Sequence, residues 1–186
     1  KQKLLEVSQP ILSNNDIEKI KRIENHTSGV LKAQTISICY DKKNNSKIKF
    51  DELLKTICTS IEELIIKKTC NIIILSDRDV NNEQIAIPAL LATSAVHHYL
   101  IKKGLRTKVG LVVETGEARR VHDLCLLAGY GAEAINPYLA FYTLSKIIRE
   151  LSEEISEEEA YDKYIKSVTK GMLKVMSKMG ISTYQS

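Results

Sequence analysis

Several side chains in this sequence have types and spacing that could do chemistry. The apolar run NIIIL ends in Ser76, Asp77, Arg78 and Asp79. Two carboxylates flanking a guanidinium could serve acid–base work, or could close a local ion-pair turn. His97 and His98 follow nearby. On a helix, adjacent side chains point about 100° apart, whereas a metal pair needs the i, i+4 spacing of H-E-x-x-H, so these histidines read as a surface or interface pair. Glu114, Gly116 and Glu117 lie in a Gly-bearing turn, and Asn136, Pro137 and Tyr138 follow a second short apolar run. Backbone N–H groups at such turns and helix starts can hold a phosphate. Nucleophilic catalysis finds no support: there is no G-x-S-x-G, and Cys125, three residues after His122, reads as a core thiol.

Alternating strands and helices must position these groups. Ser13 or Asn14 can cap a first helix carrying Ile17, Ile20 and Ile23. AQTISICYD, from Ala33, has the period of a strand, and KKNNSK reads as a solvated loop. Phe50 to Lys68 carries Leu53, Leu54, Ile57, Ile61, Leu64 and Ile65 at helical spacing, with acids first and lysines last. Within NIIIL, Ile72 to Leu75 are all apolar and, but for the last, β-branched, which suits a strand covered on both faces. Pro88 can open a helix that runs to Gly104. TKVGLVV then reads as strand, EARRVHDLCLLAG as helix, AEAI as strand and NPYLAFYTLSKIIREL as helix. In SEEISEEEA, Ser156 and Glu159 form a capping box that opens a last helix, which Gly180 ends.

Such alternation implies right-handed β-α-β units and a mainly parallel sheet. The expected fold class is α/β, as an open sheet or a partial, degenerate (β/α) barrel, with the barrel preferred. In either, the loops after the strands gather at one end of the sheet, where ligands sit. Those loops carry Tyr40 and Asp41, Ser76 to Asp79, Glu114 to Glu117, and Asn136 to Tyr138. The gathering is either a ligand or domain-contact site or a polar network that ties the loops together. VVETGEARRVHDLCLLAGYGAEAINP is similar to the phosphate-gripping half of a flavin-binding barrel, but Glu114 and Glu117 bring negative charge to the turn. A barrel unit that has lost its phosphate site is the expectation.

At 186 residues, one domain with a sizeable core is expected. The 44% hydrophobic and 27% charged composition excludes disorder along the whole chain. The net charge of +4 is interleaved with acids and lacks an RNA-type aromatic motif, which disfavours nucleic acid. Cys39, Cys58, Cys70 and Cys125 have no C-x-x-C spacing, so neither zinc nor a disulfide framework is expected. No run reaches the roughly 18 residues that span a bilayer, and no secretory leader is seen. The chain opens on a Lys and stops at ISTYQS without a terminating signal. Both ends are therefore expected to be truncations.

The stretches ILSDRDV, AIPALLATSAVHHYLIKKGLRTKVGLVVETGEARRVHDLCLLAGYGAEAINPYLAF and KGMLKVMSKMGIS resemble the central domain of the glutamate synthase large subunit. The resemblance runs from QPIL to the last residue. It is dense from Asn71 to Phe141 and from Lys170 to Ser182, and fails in detail at Asp41 to Lys49 and Ser152 to Glu159. It implies that residues 1–186 form one domain, the C-terminal part of that central domain, lying between an amidotransferase domain and an FMN-binding domain of one polypeptide.

The family converts glutamine, 2-oxoglutarate and a reductant into two glutamates, passing ammonia through an internal tunnel. The resemblance thus implies a connecting domain that scaffolds two active sites and walls the ammonia path, with no catalytic, cofactor or metal residue of its own. FMN and a 3Fe-4S cluster belong to the full-length enzyme, and no cysteine here matches a family catalytic or cluster position. The electron donor would be ferredoxin or a pyridine-nucleotide-linked subunit, with no nucleic-acid or membrane partner. The expected location is cytoplasmic, or a plastid in a eukaryotic source. The alternatives are a small-ligand-binding α/β module, which would use Asp77, Arg78, Glu114 and Asn136, and a flavin-barrel-like enzyme.

Overall fold

The computed structural model describes residues 5–43, 50–151 and 155–185. The insert expected from Asp41 to Lys49 and the acidic linker from Ser152 therefore lie partly outside the described residues. In chain order the elements are α1 (Asn14–Lys21), α2 (Ile23–His26), β1 (Ala33–Ser37), β2 (Cys39–Asp41), α3 (Phe50–Ile66), β3 (Ile72–Ser76) and β4 (Gln84–Ala86). There follow α4 (Ala89–Lys102), a 3-10 turn (Arg106–Lys108), β5 (Gly110–Glu114), α5 (Val121–Gly129), β6 (Ala134–Asn136), α6 (Tyr138–Leu151) and α7 (Glu157–Met179).

Four strands form one parallel sheet in the order β1-β3-β5-β6. Each new strand joins the same edge, and the order never reverses as it does in a doubly wound sheet. This is the winding of a (β/α) barrel stopped at half its strands, and the mixed α/β, parallel-sheet expectation holds. Beyond β6, the N-terminal segment covers the edge through a parallel bridge at Ile11, with Leu12 N–H donating to Ile135 O at 2.8 Å.

The two faces of the sheet bury different helices. Ile73, Leu75, Leu111, Val113 and Ile135 pack with Ile61 and Ile65 of α3, Val96 and Leu100 of α4, Leu124 of α5, Phe141 of α6 and Ile165 of α7. Ile72, Ile74, Val112 and Ala134 meet Leu12, Ile17, Ile20, Ile23 and Leu31. In a closed barrel one face of the sheet looks inward; here α1 covers the face opposite the helical layer. Ile17 is fully buried there, which is worth roughly 2 kcal/mol of apolar transfer. The start of α1 is fixed by Ser13, whose Oγ accepts Asp16 N–H at 3.1 Å while the Asp16 carboxylate accepts Ser13 N–H at 3.0 Å.

The structure corrects three local expectations. AQTISICYD is not one strand: it breaks at Ile38, whose N–H donates to Ser76 O and whose carbonyl accepts Ile87 N–H, both at 2.9 Å. Beyond the break, Cys39–Asp41 turns away to form an antiparallel ladder with β4. The helix expected from Glu117 begins only at Val121, because the Asp123 carboxylate accepts Arg119 and Arg120 N–H at 3.3 and 3.1 Å and holds them outside it. The capping box at Ser156 is half made: Ser156 Oγ accepts Glu159 N–H at 3.1 Å, but the Glu159 carboxylate pairs with Lys163 instead.

Candidate functional site

The registers of the three parallel pairings align Ser37, Ser76, Glu114 and Asn136 as one row across the last rung of the sheet. Paired residues share a face, so the row continues the line of Ile74, Val112 and Ala134 toward α1. Apolar rows fill the middle of that face, and polar side chains end it where the loops begin. Ser76, Glu114 and Asn136 are all buried, so each carries an obligation to be bonded.

Glu114 meets it with charge. Its Oε1 accepts Arg78 Nε at 2.8 Å and Lys21 Nζ at 2.9 Å, and its Oε2 accepts Ser76 Oγ at 2.6 Å. Burial opposes the charge on both cations, but bonds with Glu18 and Glu114 hold Lys21 above its ordinary value, and bonds with Tyr142 and Glu114 do the same for Arg78. The Arg78 guanidinium also lies 4.4 Å from the centre of the Tyr138 ring and donates to Tyr142 Oη at 3.1 Å. An arginine bonded at one edge and stacked at its face is rigidly presented.

Asp77 meets the same obligation with neutral donors. Its carboxylate accepts Thr115 Oγ1 at 2.5 Å and Gly116 N–H at 3.0 and 3.1 Å, with the Tyr138 phenol close by. Burial, then this contact with Asp77, raises the Tyr138 phenol far above its usual range. Tyr138 also closes the turn, since a Cβ on Gly116 would stand 3.0 Å from its Oη and 3.2 Å from its Cζ. The phosphate-gripping turn read from the sequence therefore already contains an anion, from the loop after β3.

The remaining candidates have structural partners. Glu117 Oε2 accepts Ala89 N–H at 2.8 Å and so caps α4, whose N-cap, Pro88, has no side-chain bond to offer. Asn136 Nδ2 donates to Leu12 O at 2.9 Å and Asn14 Oδ1 at 3.0 Å, fixing the N-terminal segment, while its buried Oδ1 has no partner among the described residues. Pro137 is buried and its carbonyl accepts Ala140 N–H at the start of α6. Asp79 is exposed and outside the network, so Asp77 and Asp79 are not a carboxylate pair. Tyr40 and Asp41 belong to the β2–β4 ladder rather than to the row.

His97 and His98 are apart from all of this. His97 Nδ1 accepts Arg106 Nε at 2.9 Å, and His98 Nδ1 faces Ser94 O at 2.8 Å. Among the described residues no group of His, Cys, Asp or Glu could hold a metal ion. Burial pushes the thiols of Cys39, Cys58, Cys70 and Cys125 up, which makes them poor nucleophiles. The residues that sequence reasoning missed are Lys21 and Tyr142; Thr115 lay within the candidate loop Glu114 to Glu117 but was not singled out. Nothing local marks Lys21, which lies on the polar side of a helix remote in sequence.

The Tyr138 ring and the Asp77 carboxylate occupy the Gly116 turn, where the sequence placed a phosphate grip. Both buried carboxylates are engaged by the chain's own donors.

A family profile described as the glutamate synthase central domain matches residues 1–186. The NADPH glutamate synthase large chain of Bacillus subtilis is 47% identical over 177 residues, which cover 95% of this chain and 11% of that protein. A ferredoxin-dependent glutamate synthase of Antithamnion sp. is 35% identical over 196 residues, covering 99% of this chain and 12% of that one. The chain thus spans about a tenth of the length of these relatives. A solved structure of a mutant flavocytochrome b2 with benzoylformate superposes with a TM-score of 0.52 at 14% identity, over 91% of this chain and 49% of that one. That likeness concerns the fold alone, and a match to half of a longer chain agrees with a half-wound barrel.

Proposed function

Because the chain belongs to the glutamate synthase central-domain family, we propose that it is the C-terminal part of a connecting domain in a synthase polypeptide about ten times longer. That polypeptide converts glutamine, 2-oxoglutarate and a reductant into two glutamates. The domain sits between the amidotransferase and FMN-binding domains, holds their active sites in register and walls part of the ammonia path. It carries no catalytic residue and no cofactor of its own; FMN and the 3Fe-4S cluster lie elsewhere in the polypeptide. The electron donor is ferredoxin or a pyridine-nucleotide-linked subunit.

One observation carries the noncatalytic part of this reading. The buried carboxylates at the ligand end of the sheet are spent on the chain itself, Glu114 on Lys21, Arg78 and Ser76, and Asp77 on Thr115 and Gly116. A rigid domain is what a connecting role needs. Holding two sites in fixed register replaces diffusion of ammonia by a confined transfer, and a closed path keeps it from solvent and protonation. Among the described residues no helix is long and apolar enough to cross a membrane, and the proposed location is cytoplasmic or, in a eukaryote, a plastid.

The test is made in the full-length synthase by loosening this domain with Glu114→Gln. Glutamine hydrolysis and ammonia-dependent glutamate formation should both persist, while glutamine-dependent glutamate formation falls and free ammonia accumulates. Unchanged coupling in a variant shown to be loosened, bound flavin in the isolated chain, or glutaminase turnover by the isolated chain would each refute the reading.

A further inference from the structure

The two buried carboxylates at the head of the sheet differ in one respect. Glu114 has a cation on either side, with Lys21 and Arg78 both within 2.9 Å. Asp77 is 3% exposed, yet among the described residues no Lys or Arg forms an ion pair with it. Its charge is held instead by Thr115 Oγ1 and the Gly116 N–H, and the Tyr138 ring packs against the Gly116 turn. Convergent neutral donors around a buried anion are how proteins hold an oxyanion without a counter-ion. Gly116 lets Tyr138 lie close against the turn, because a Cβ there would stand 3.0 Å from the Tyr138 Oη and push the ring back by a few tenths of an ångström.

We infer that the Thr115–Gly116 turn is an oxyanion site whose resident occupant is the chain's own Asp77, and that with this carboxylate removed it accepts a small free carboxylate, formate or acetate, in the same place. Its capacity is one carboxylate. Asp77 reaches the turn from the loop after β3, and the Tyr138 ring fills the space beyond, so a tetrahedral phosphate has no room. The site is therefore not eroded. Its donors remain in place, and a tethered ligand keeps them saturated, which also ties the loop after β3 to the loop after β5. The inference deepens the cofactor-free part of the function proposed above, but it concerns local binding only, and ammonia coupling in the synthase tests the other reading separately.

The measurement is amide hydrogen exchange of the peptide containing Thr115, Gly116 and Glu117 in Asp77→Gly, with sodium formate, phosphate or chloride at equal ionic strength. A local readout serves equally in the full-length polypeptide. Losing the anion should speed exchange there by about tenfold, the equivalent of one unsatisfied buried donor. Formate should reverse this, chloride and phosphate should not, and the natural sequence should ignore all three. Formate acting no better than chloride overturns the inference, as does equal rescue by phosphate. Asp77→Asn, which fills the space with a neutral amide, should not respond to formate, and a response there means that formate acts elsewhere. If Asp77→Gly does not fold, its refolding yield decides: a gain in formate over chloride supports the site, and equal yields overturn it.

Discussion

Lys21 and Glu114 stand 93 residues apart in sequence and 2.9 Å apart in space, one on the first helix and the other at the end of the third strand of the sheet. Glu114 is 1% exposed and Lys21 24%, so breaking the contact from the two sides has unequal cost. Glu114→Gln leaves Lys21 and Arg78 without their anion and should destabilise the fold by about 3 kcal/mol, as for other broken buried pairs. Lys21→Met leaves Arg78 in place and should cost about 1 kcal/mol. Urea unfolding measures both, and equal losses would mean that Arg78 does not share the load.

Glu117 is exposed, yet it supplies the first N–H of α4 with an acceptor from another loop. Glu117→Ala should cost about 1 kcal/mol, the usual value for a lost N-cap. The loss should appear as faster amide exchange at Ala89 and the residues just after it, with the rest of α4 unchanged. Faster exchange along the whole helix would show that Glu117 holds more than its cap.

At the opposite end of the sheet, Arg106 ties α4 to the loop before β6. It donates to His97 Nδ1 at 2.9 Å, Val109 O at 2.9 Å, Gly131 O at 3.0 Å and Glu133 Oε1 at 2.7 Å. Gly131 has φ +113°, and a Cβ there would lie 2.2 Å from His97 Nδ1. Gly131→Ala should therefore destabilise by about 3 kcal/mol, from clash and backbone strain together. In a His97→Ala background the ring is gone and only the Cβ contact of 2.9 Å remains, so the same substitution should cost less, about 1–2 kcal/mol, mostly strain. Additive losses would place the clash elsewhere.

The sequence carried the fold further than the site. The sheet followed from runs such as Ile72 to Leu75, whose unbroken apolar character implies cover on both faces, and α3 followed from helical spacing that the structure reproduces over Phe50–Ile66. The break at Ile38 was hidden because it is set by Ser76 and Ile87, both distant in sequence, while the local alternation runs straight through it. Likewise, the loops carrying Ser76 to Arg78, Glu114 to Glu117 and Asn136 to Tyr138 do meet, as the strand-end rule requires. Which carboxylate binds which donor depends on side-chain reach, and Lys21 enters only because α1 crosses the sheet.

The chain should lose stability in mild acid through His97. Burial, then the Arg106 guanidinium and His98, hold its pKa below the ordinary imidazole value. The other charge in the cluster is Glu133, which Arg106 engages on its far side. Since Nδ1 accepts from Arg106, the ring proton must sit on Nε2, and a second proton on Nδ1 would expel the guanidinium. A folded-state value below the unfolded one means that the unfolded chain takes up the proton first. The contribution is therefore whole above the unfolded pKa of about 6.5 and is lost as pH falls below it. Urea midpoints should drop between pH 7.5 and pH 5.5, pH values chosen to bracket about 6.5, and the drop should be smaller in His97→Gln, which can accept from Arg106 but cannot take up the proton. Parallel pH curves for the two proteins would assign the loss to other groups.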